Sequence, residues 1–125
     1  MRVLIADNSE LIVQRLEELL SESTFILMID RAFSYEEAQH FFNQNKPDVV
    51  VLDINLPGNT SYQLLKEIKE EAPQTVVIVM SIRLEEYILQ QCSNLGADFF
   101  FDKYHEFENV PLIINSMVLN DTHLK

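Results

Sequence analysis

PDVVVLDINLPGNTS, residues Pro47 to Ser61, decides how the rest of this chain folds. Val49, Val50, Val51 and Leu52 form an unbroken apolar, largely β-branched run, the pattern of a strand buried on both faces within a parallel sheet. Asp53 ends the run, Pro57-Gly58 marks a turn, and Thr60 followed by Gln63 reads as a capping box opening the next helix. A carboxylate is thus delivered to the carboxyl end of a central strand, the edge at which open α/β sheets bind their ligands.

The same strand-then-helix order recurs on either side. Arg2 to Ala6 is an apolar run ending at Asp7-Asn8, and Ser9 precedes Leu11, Ile12, Leu16, Leu19 and Leu20 at helical spacing. Phe25 to Ile29 reads as the second strand, and Ser34 with Glu37 as a capping box before Ala38, Phe41 and Phe42. Beyond the central strand, Leu64, Leu65 and Ile68 mark the third helix, and Val76 to Met80 is a fourth strand that ends at Ser81. Leu84, Tyr87, Ile88 and Cys92 line a fourth helix closed by Gly96, and Phe99 to Phe101 is a fifth strand leading to Asp102-Lys103. Val110, Ile113, Ile114 and Met117 mark the last helix, with Pro111 tolerable in its first turn and Asn120 to Lys125 expected to fray. Five such units predict an α/β fold: a doubly wound, five-stranded parallel sheet in three α/β/α layers, with right-handed crossovers.

Composition narrows the function. The 125 residues read as one domain, 1–125, with no output domain attached. Twenty acidic against nine basic residues give a net charge of -11, which argues against direct contact with nucleic acid or anionic lipid. The single cysteine, Cys92, excludes an internal disulfide framework. Asp7, Asn8 and Glu10 interrupt the first apolar segment too early for a signal peptide, and no run reaches membrane-spanning length, so a cytoplasmic location is expected. His40, His105 and His123 show no zinc-ligand spacing.

In a parallel sheet all carboxyl ends lie on one edge. Asp7 and Asn8 end the first strand, Asp53 the third and Ser81 the fourth, and Lys103 follows the fifth. Each alone reads as a cap, a turn residue or a solvated charge; together they can hold a divalent cation and a phosphoryl group in one crevice. Asp53 suits the role of nucleophile toward phosphorus, Lys103 supplies neutralising charge, and Ser81 can donate a hydrogen bond only when phosphate is present.

At VLIADN, PDVVVLDINLPG, VVIVMS and GADFFFDK the sequence resembles the receiver domain of bacterial two-component response regulators, over essentially the whole chain. The resemblance implies a stand-alone, flavodoxin-like module with strand order 2-1-3-4-5. Its site would comprise Asp53 as phosphoacceptor, Asp7 and Asn8 at the metal, Asn55 as a backbone-carbonyl metal ligand, Ser81 as switch hydroxyl, Lys103 on the phosphate and Phe100 as switch aromatic. It also implies Mg²⁺ as cofactor and a histidine kinase or phosphotransfer protein as donor. Output would pass to a downstream protein through the face of the fourth helix, fifth strand and fifth helix, by signalling rather than enzymatic turnover. Three residues depart from the family pattern. Asn8 stands where a second acid is usual, which predicts weak Mg²⁺ binding. Tyr104 follows Lys103 where proline is common, which predicts a trans bond. Phe100 stands where tyrosine is frequent and has no hydroxyl. Asn8 also keeps open a phosphorylation-independent receiver that only binds partners. Asp53-Ile54-Asn55 faintly echoes the aspartate nucleophile of phosphohydrolases, but that family's second acid is missing.

Overall fold

Strands β1 (Arg2–Ala6), β3 (Val49–Asp53) and β4 (Val76–Ser81) are the apolar runs of the sequence, and nearly all their residues are buried, as strands covered on both faces require. The structure is a computed structural model that describes residues 1–83 and 85–124, without the side chains of residues 59 and 118–124. Edge strands β2 (Met28–Ala32) and β5 (Phe99–Asp102) complete a fully parallel sheet in the order β2-β1-β3-β4-β5. Crossovers α1 (Glu10–Leu20), α2 (Tyr35–Asn45), α3 (Ser61–Glu71) and α4 (Glu86–Asn94) join the strands, and α5 (Asn109–Leu124) follows the last. The expected flavodoxin-like fold is the one observed.

Because strand side chains alternate, each strand feeds two cores. Leu4, Val50, Leu52, Val77 and Val79 pack with Phe42, Leu64, Leu65, Ile68 and Cys92, on the side of α2, α3 and α4. Val3, Ile5, Val51, Ile78 and Met80 pack with Val13, Leu16, Leu20, Val110 and Ile114, on the side of α1 and α5. Among the described residues, no helix is long and apolar enough to cross a membrane.

Several local expectations are corrected. The second strand lies later than Phe25 to Ile29: Phe25 and Leu27 are exposed loop residues, held by bonds from the amino terminus to the Phe25 carbonyl and from the Leu27 N–H to the Met1 carbonyl. The strand itself reads MIDRA, because an edge strand leaves part of its surface to water. Its Arg31 pairs with Glu17 at 3.3 Å, and its Asp30 accepts from Asn45 at 2.7 Å. In α1 the Ser9 hydroxyl accepts from the Ile12 N–H, Val13 is buried, and Leu11 faces solvent. Tyr87 likewise turns outward from α4, and Cys92 is the buried residue of that helix. Leu84 lies outside the described residues. The tail expected to fray, Asn120 to Lys125, is helix to Leu124, which does not bear on fraying, and Lys125 lies outside the described residues.

Two helix boundaries do form as read. Ser34 accepts from the Glu37 N–H at 3.2 Å while Glu37 accepts from the Phe33 N–H at 3.0 Å. Gly96 closes α4 at φ +98°, where a Cβ would also stand 3.1 Å from Lys69 Cγ. Pro111 falls in the first turn of α5.

The start of α3 is built differently from the predicted capping box. Thr60 makes no side-chain cap; its hydroxyl donates back to the Pro57 carbonyl at 3.0 Å. Ser61, fully buried, does the fastening: its hydroxyl donates to the Asp53 carbonyl at 2.6 Å and accepts from the Leu56 N–H at 3.2 Å. Replacing Ser61 with Ala leaves both backbone groups buried and unpaired, and should cost about 1–3 kcal/mol. Urea unfolding should give a lower midpoint at unchanged slope; an unchanged midpoint would mean that water replaces the hydroxyl.

Candidate functional site

Register brings the polar strand ends together. β1 pairs with β3 so that Ala6 lies beside Leu52, and the next residues, Asp7 and Asp53, leave the sheet side by side. The ladders extend slightly past the strands: the Asp7 N–H donates to the Ala32 carbonyl, Ile54 to Met80 and Lys103 to Ser81, at 2.9–3.0 Å. Lys103 is thereby anchored by its backbone on β4 while its side chain reaches back toward β1 and β3.

Its ammonium is shared between two acids. Lys103 Nζ donates to Asp7 Oδ1 at 2.8 Å and to Asp53 Oδ2 at 3.0 Å, and all three residues are at most 5% exposed. Asp7 Oδ1 also accepts from the Ser9 N–H at 2.8 Å, and Asp53 Oδ1 from the Asn55 N–H at 2.9 Å. Asp7 Oδ2 is buried and has no hydrogen-bond partner among the described residues. Burial first, then the charge of Asp53, pushes the Asp7 carboxyl from 3.8 up to about 6, against the pull of Lys103 and the Ser9 N–H. For Lys103 burial alone would lower the pKa, but the hydrogen bond and charge of Asp7, then those of Asp53, outweigh it and hold the ammonium above its ordinary 10.5.

The other sequence-predicted residues are placed as follows. Ser81 is buried at the same edge, but its hydroxyl donates to the Arg83 carbonyl at 2.7 Å and accepts from the Arg83 N–H at 3.1 Å. Asn8 and Asn55 are exposed at the mouth, and because Ser9 caps α1, Asn8 has no capping duty. Phe100 is half-buried on the α4 side, with β5 pairing it beside Val79 of β4. The bond after Lys103 is trans, as expected, there being no cis peptide among the described residues. Sequence reasoning missed Ser61, whose only signal was a hydroxyl next to the expected cap, and Glu106, whose carboxylate accepts from the Asp102 N–H at 2.9 Å.

The donor set fits a hard cation. An orphaned, buried carboxylate oxygen beside a second carboxylate is an incomplete oxygen shell of the kind Mg²⁺ fills together with waters. Among the described residues no three His, Cys, Asp or Glu side chains converge, so a further protein oxygen would come from an amide, a hydroxyl or a backbone carbonyl, Asn8 and Asn55 being the candidates expected from the sequence.

A flavodoxin-like sheet whose carboxyl edge holds two acids on one buried lysine defines a class, the signal-receiving modules. The chain matches the family model described as response regulator receiver domain over residues 3–115, and it belongs to that family. It is 28% identical over 105 residues to Protein CcdB of Bacillus subtilis, covering 84% of this chain and 87% of that one. It is 26% identical over 110 residues to the transcriptional regulatory protein DltR of Streptococcus agalactiae, covering 88% of this chain and 48% of DltR. With the DNA-binding transcriptional activator EvgA of Escherichia coli the figures are 22% over 116 residues, 93% and 56%. The chain thus spans about half the length of DltR and EvgA. Among solved structures it is similar to the response regulator domain of Thermotoga maritima CheB, with TM-score 0.80 at 28% identity over 96% of this chain and 94% of that one. The signal receiver domain of a DNA-binding response regulator from Colwellia psychrerythraea shares the fold, with TM-score 0.86 at 24% identity over 94% and 98%. Members of the family are in general signalling modules that depend on Mg²⁺ for phosphorylation and work between histidine kinases and downstream targets.

The raised Asp7 pKa makes a stability prediction. The native state holds this proton to about pH 6 and the unfolded chain only to about 3.8, so Asp7 contributes stability at acid pH that is lost as pH rises through 6. The loss is on the order of 3 kcal/mol. Asp7→Asn should therefore be more stable than the parent at neutral pH without Mg²⁺, and should lack this part of the pH dependence. Urea unfolding across that range checks it; equal stabilities at neutral pH would mean that Lys103 fully compensates the buried charge.

Proposed function

We propose that this chain receives a phosphoryl group on Asp53 from a histidine kinase or phosphotransfer protein and passes the event on through its surface. The observation that carries the reading is the single buried ammonium shared by Asp53 and Asp7. Asp53 Oδ2 sits 3.0 Å from the Lys103 ammonium and Oδ1 accepts a backbone N–H, so the carboxylate is fixed in orientation. One of its oxygens attacks phosphorus as the P–N bond to the donor imidazole breaks, and the electron pair leaves with the imidazole. Lys103 neutralises charge on the transferring oxygens. When bound by Asp7, Asp53 and oxygens of Asn8 or Asn55, Mg²⁺ supplies further positive charge to the same oxygens, and the neutral Asn8 amide makes its binding weak.

Ser81 reads the result. Its hydroxyl donates to Arg83, so donating to a phosphoryl oxygen means giving up the bond that holds the following loop. Freed, that loop moves toward Asp53, and the half-buried Phe100, on the same sheet face, can fill the space behind it. The affected face is α4-β5-α5, and Tyr87 of α4 and Leu112 of α5 are exposed apolar side chains that a protein partner can cover. A difference of a few kcal/mol between the two arrangements is enough for a switch.

Intact-mass measurement after treatment with a small phosphodonor and Mg²⁺ tests the reading. The protein should gain one phosphoryl group and Asp53→Asn none; full labelling of the variant would assign the acceptor elsewhere. No gain by the parent would favour a phosphorylation-independent binding module.

A further inference from the structure

Lys103 has to keep its ammonium between two carboxylates although it sits in the loop after β5. The segment from Asp102 to Glu106 closes on itself. Asp102 Oδ1 accepts from the Tyr104 N–H at 3.0 Å, from the His105 N–H at 2.9 Å, and lies 2.9 Å from His105 Nδ1. The Asp102 N–H donates to Glu106 Oε1 at 2.9 Å, and the Glu106 N–H returns to the Asp102 carbonyl at 2.9 Å. Lys103 is the one residue in this ring whose side chain turns inward; it is 5% exposed, whereas Tyr104 and His105 are exposed.

We propose that Asp102, braced by Glu106, is the positioning residue for Lys103, a carboxylate clamp that fixes where the ammonium stands between Asp7 and Asp53. The inference rests on the reading of Lys103 as the phosphate-contacting cation. The Lys103 N–H is held by the Ser81 carbonyl, which leaves the chain free to twist on the far side of the residue, and the Asp102 carboxylate removes that remaining freedom by holding the two N–H groups that follow Lys103. The bonds depend on the residue after Lys103 having an N–H, which Tyr104 supplies and a proline would lack. The same bonds, those of His105 first, hold the Asp102 carboxyl below its ordinary value, so it is a charged acceptor at neutral pH.

The test uses the full chain with Asp102→Ala and Asp102→Asn, the second keeping an acceptor oxygen for the Tyr104 and His105 N–H groups. The direct readout is the nitrogen-detected signal of the Lys103 ammonium, visible when a buried ion pair slows its exchange with water. The phosphodonor labelling rate and the thermal midpoint are measured alongside. Asp102→Ala should lose the ammonium signal and label up to ~100-fold more slowly, as displacement of a catalytic group by about an ångström predicts. Asp102→Asn should restore both. An unchanged ammonium signal in Asp102→Ala, or its loss in both variants, overturns the clamp. If the parent takes up no phosphoryl group, the phosphoacceptor reading fails on its own, while the ammonium signal still decides the clamp.

Discussion

One buried ammonium serving two buried carboxylates is the constraint on which the rest of this structure depends. Moving ions out of water costs several kcal/mol each even after relaxation, and here two negative charges share one positive. Lys103 partly offsets the cost for Asp7 and Asp53, yet Asp7 is still pushed toward its protonated form and has an oxygen with no partner among the described residues. A core optimised for stability would not contain this. The excess negative charge and the orphaned Asp7 oxygen are what a bound cation would satisfy, and on the proposed reading that cation in turn offsets the charge of an incoming phosphoryl group.

The fold exists to hold that cluster. Three successive apolar strands are buried on both faces and in fixed register, so the residues that follow them cannot move apart without breaking the sheet. The two helices beside the site are fastened unequally: α4 buries only Cys92 fully and has no side-chain cap at Glu85, whereas α3 buries Ser61, Leu64, Leu65 and Ile68 and is tied by Ser61 to the Asp53 carbonyl. On the proposed reading, the tightly fastened side orients the acceptor, and the less fastened side, reached through the Ser81–Arg83 bond, is the one that would respond.

Much of this was legible in the sequence, for physical reasons. Val49 to Leu52 and Val76 to Met80 have one plausible environment, the middle of a parallel sheet, and that topology forces Asp7, Asp53, Ser81 and Lys103 to one edge. What misled were residues whose roles depend on neighbours distant in the chain. The apolar Phe25 to Ile29 looks more like a strand than MIDRA does, but the edge position rewards polar residues. Leu11 and Tyr87 fit helical spacing yet face water. Thr60 and Ser61 are both hydroxyls at a helix start, and only the position of the Asp53 carbonyl selects Ser61. The direction of the Ser81 hydroxyl, toward Arg83, likewise depends on a loop conformation that no local pattern encodes.

The central claim, that the charge imbalance around Lys103 is a phosphoryl site coupled to Ser81, is tested most directly by the structure of the protein with beryllofluoride and Mg²⁺. Beryllium should bond to an Asp53 carboxylate oxygen with Lys103 Nζ still in contact, and the Ser81 hydroxyl should have left the Arg83 carbonyl for a fluoride. An adduct on another residue, or Ser81 still donating to Arg83 beside a modified Asp53, would contradict the account.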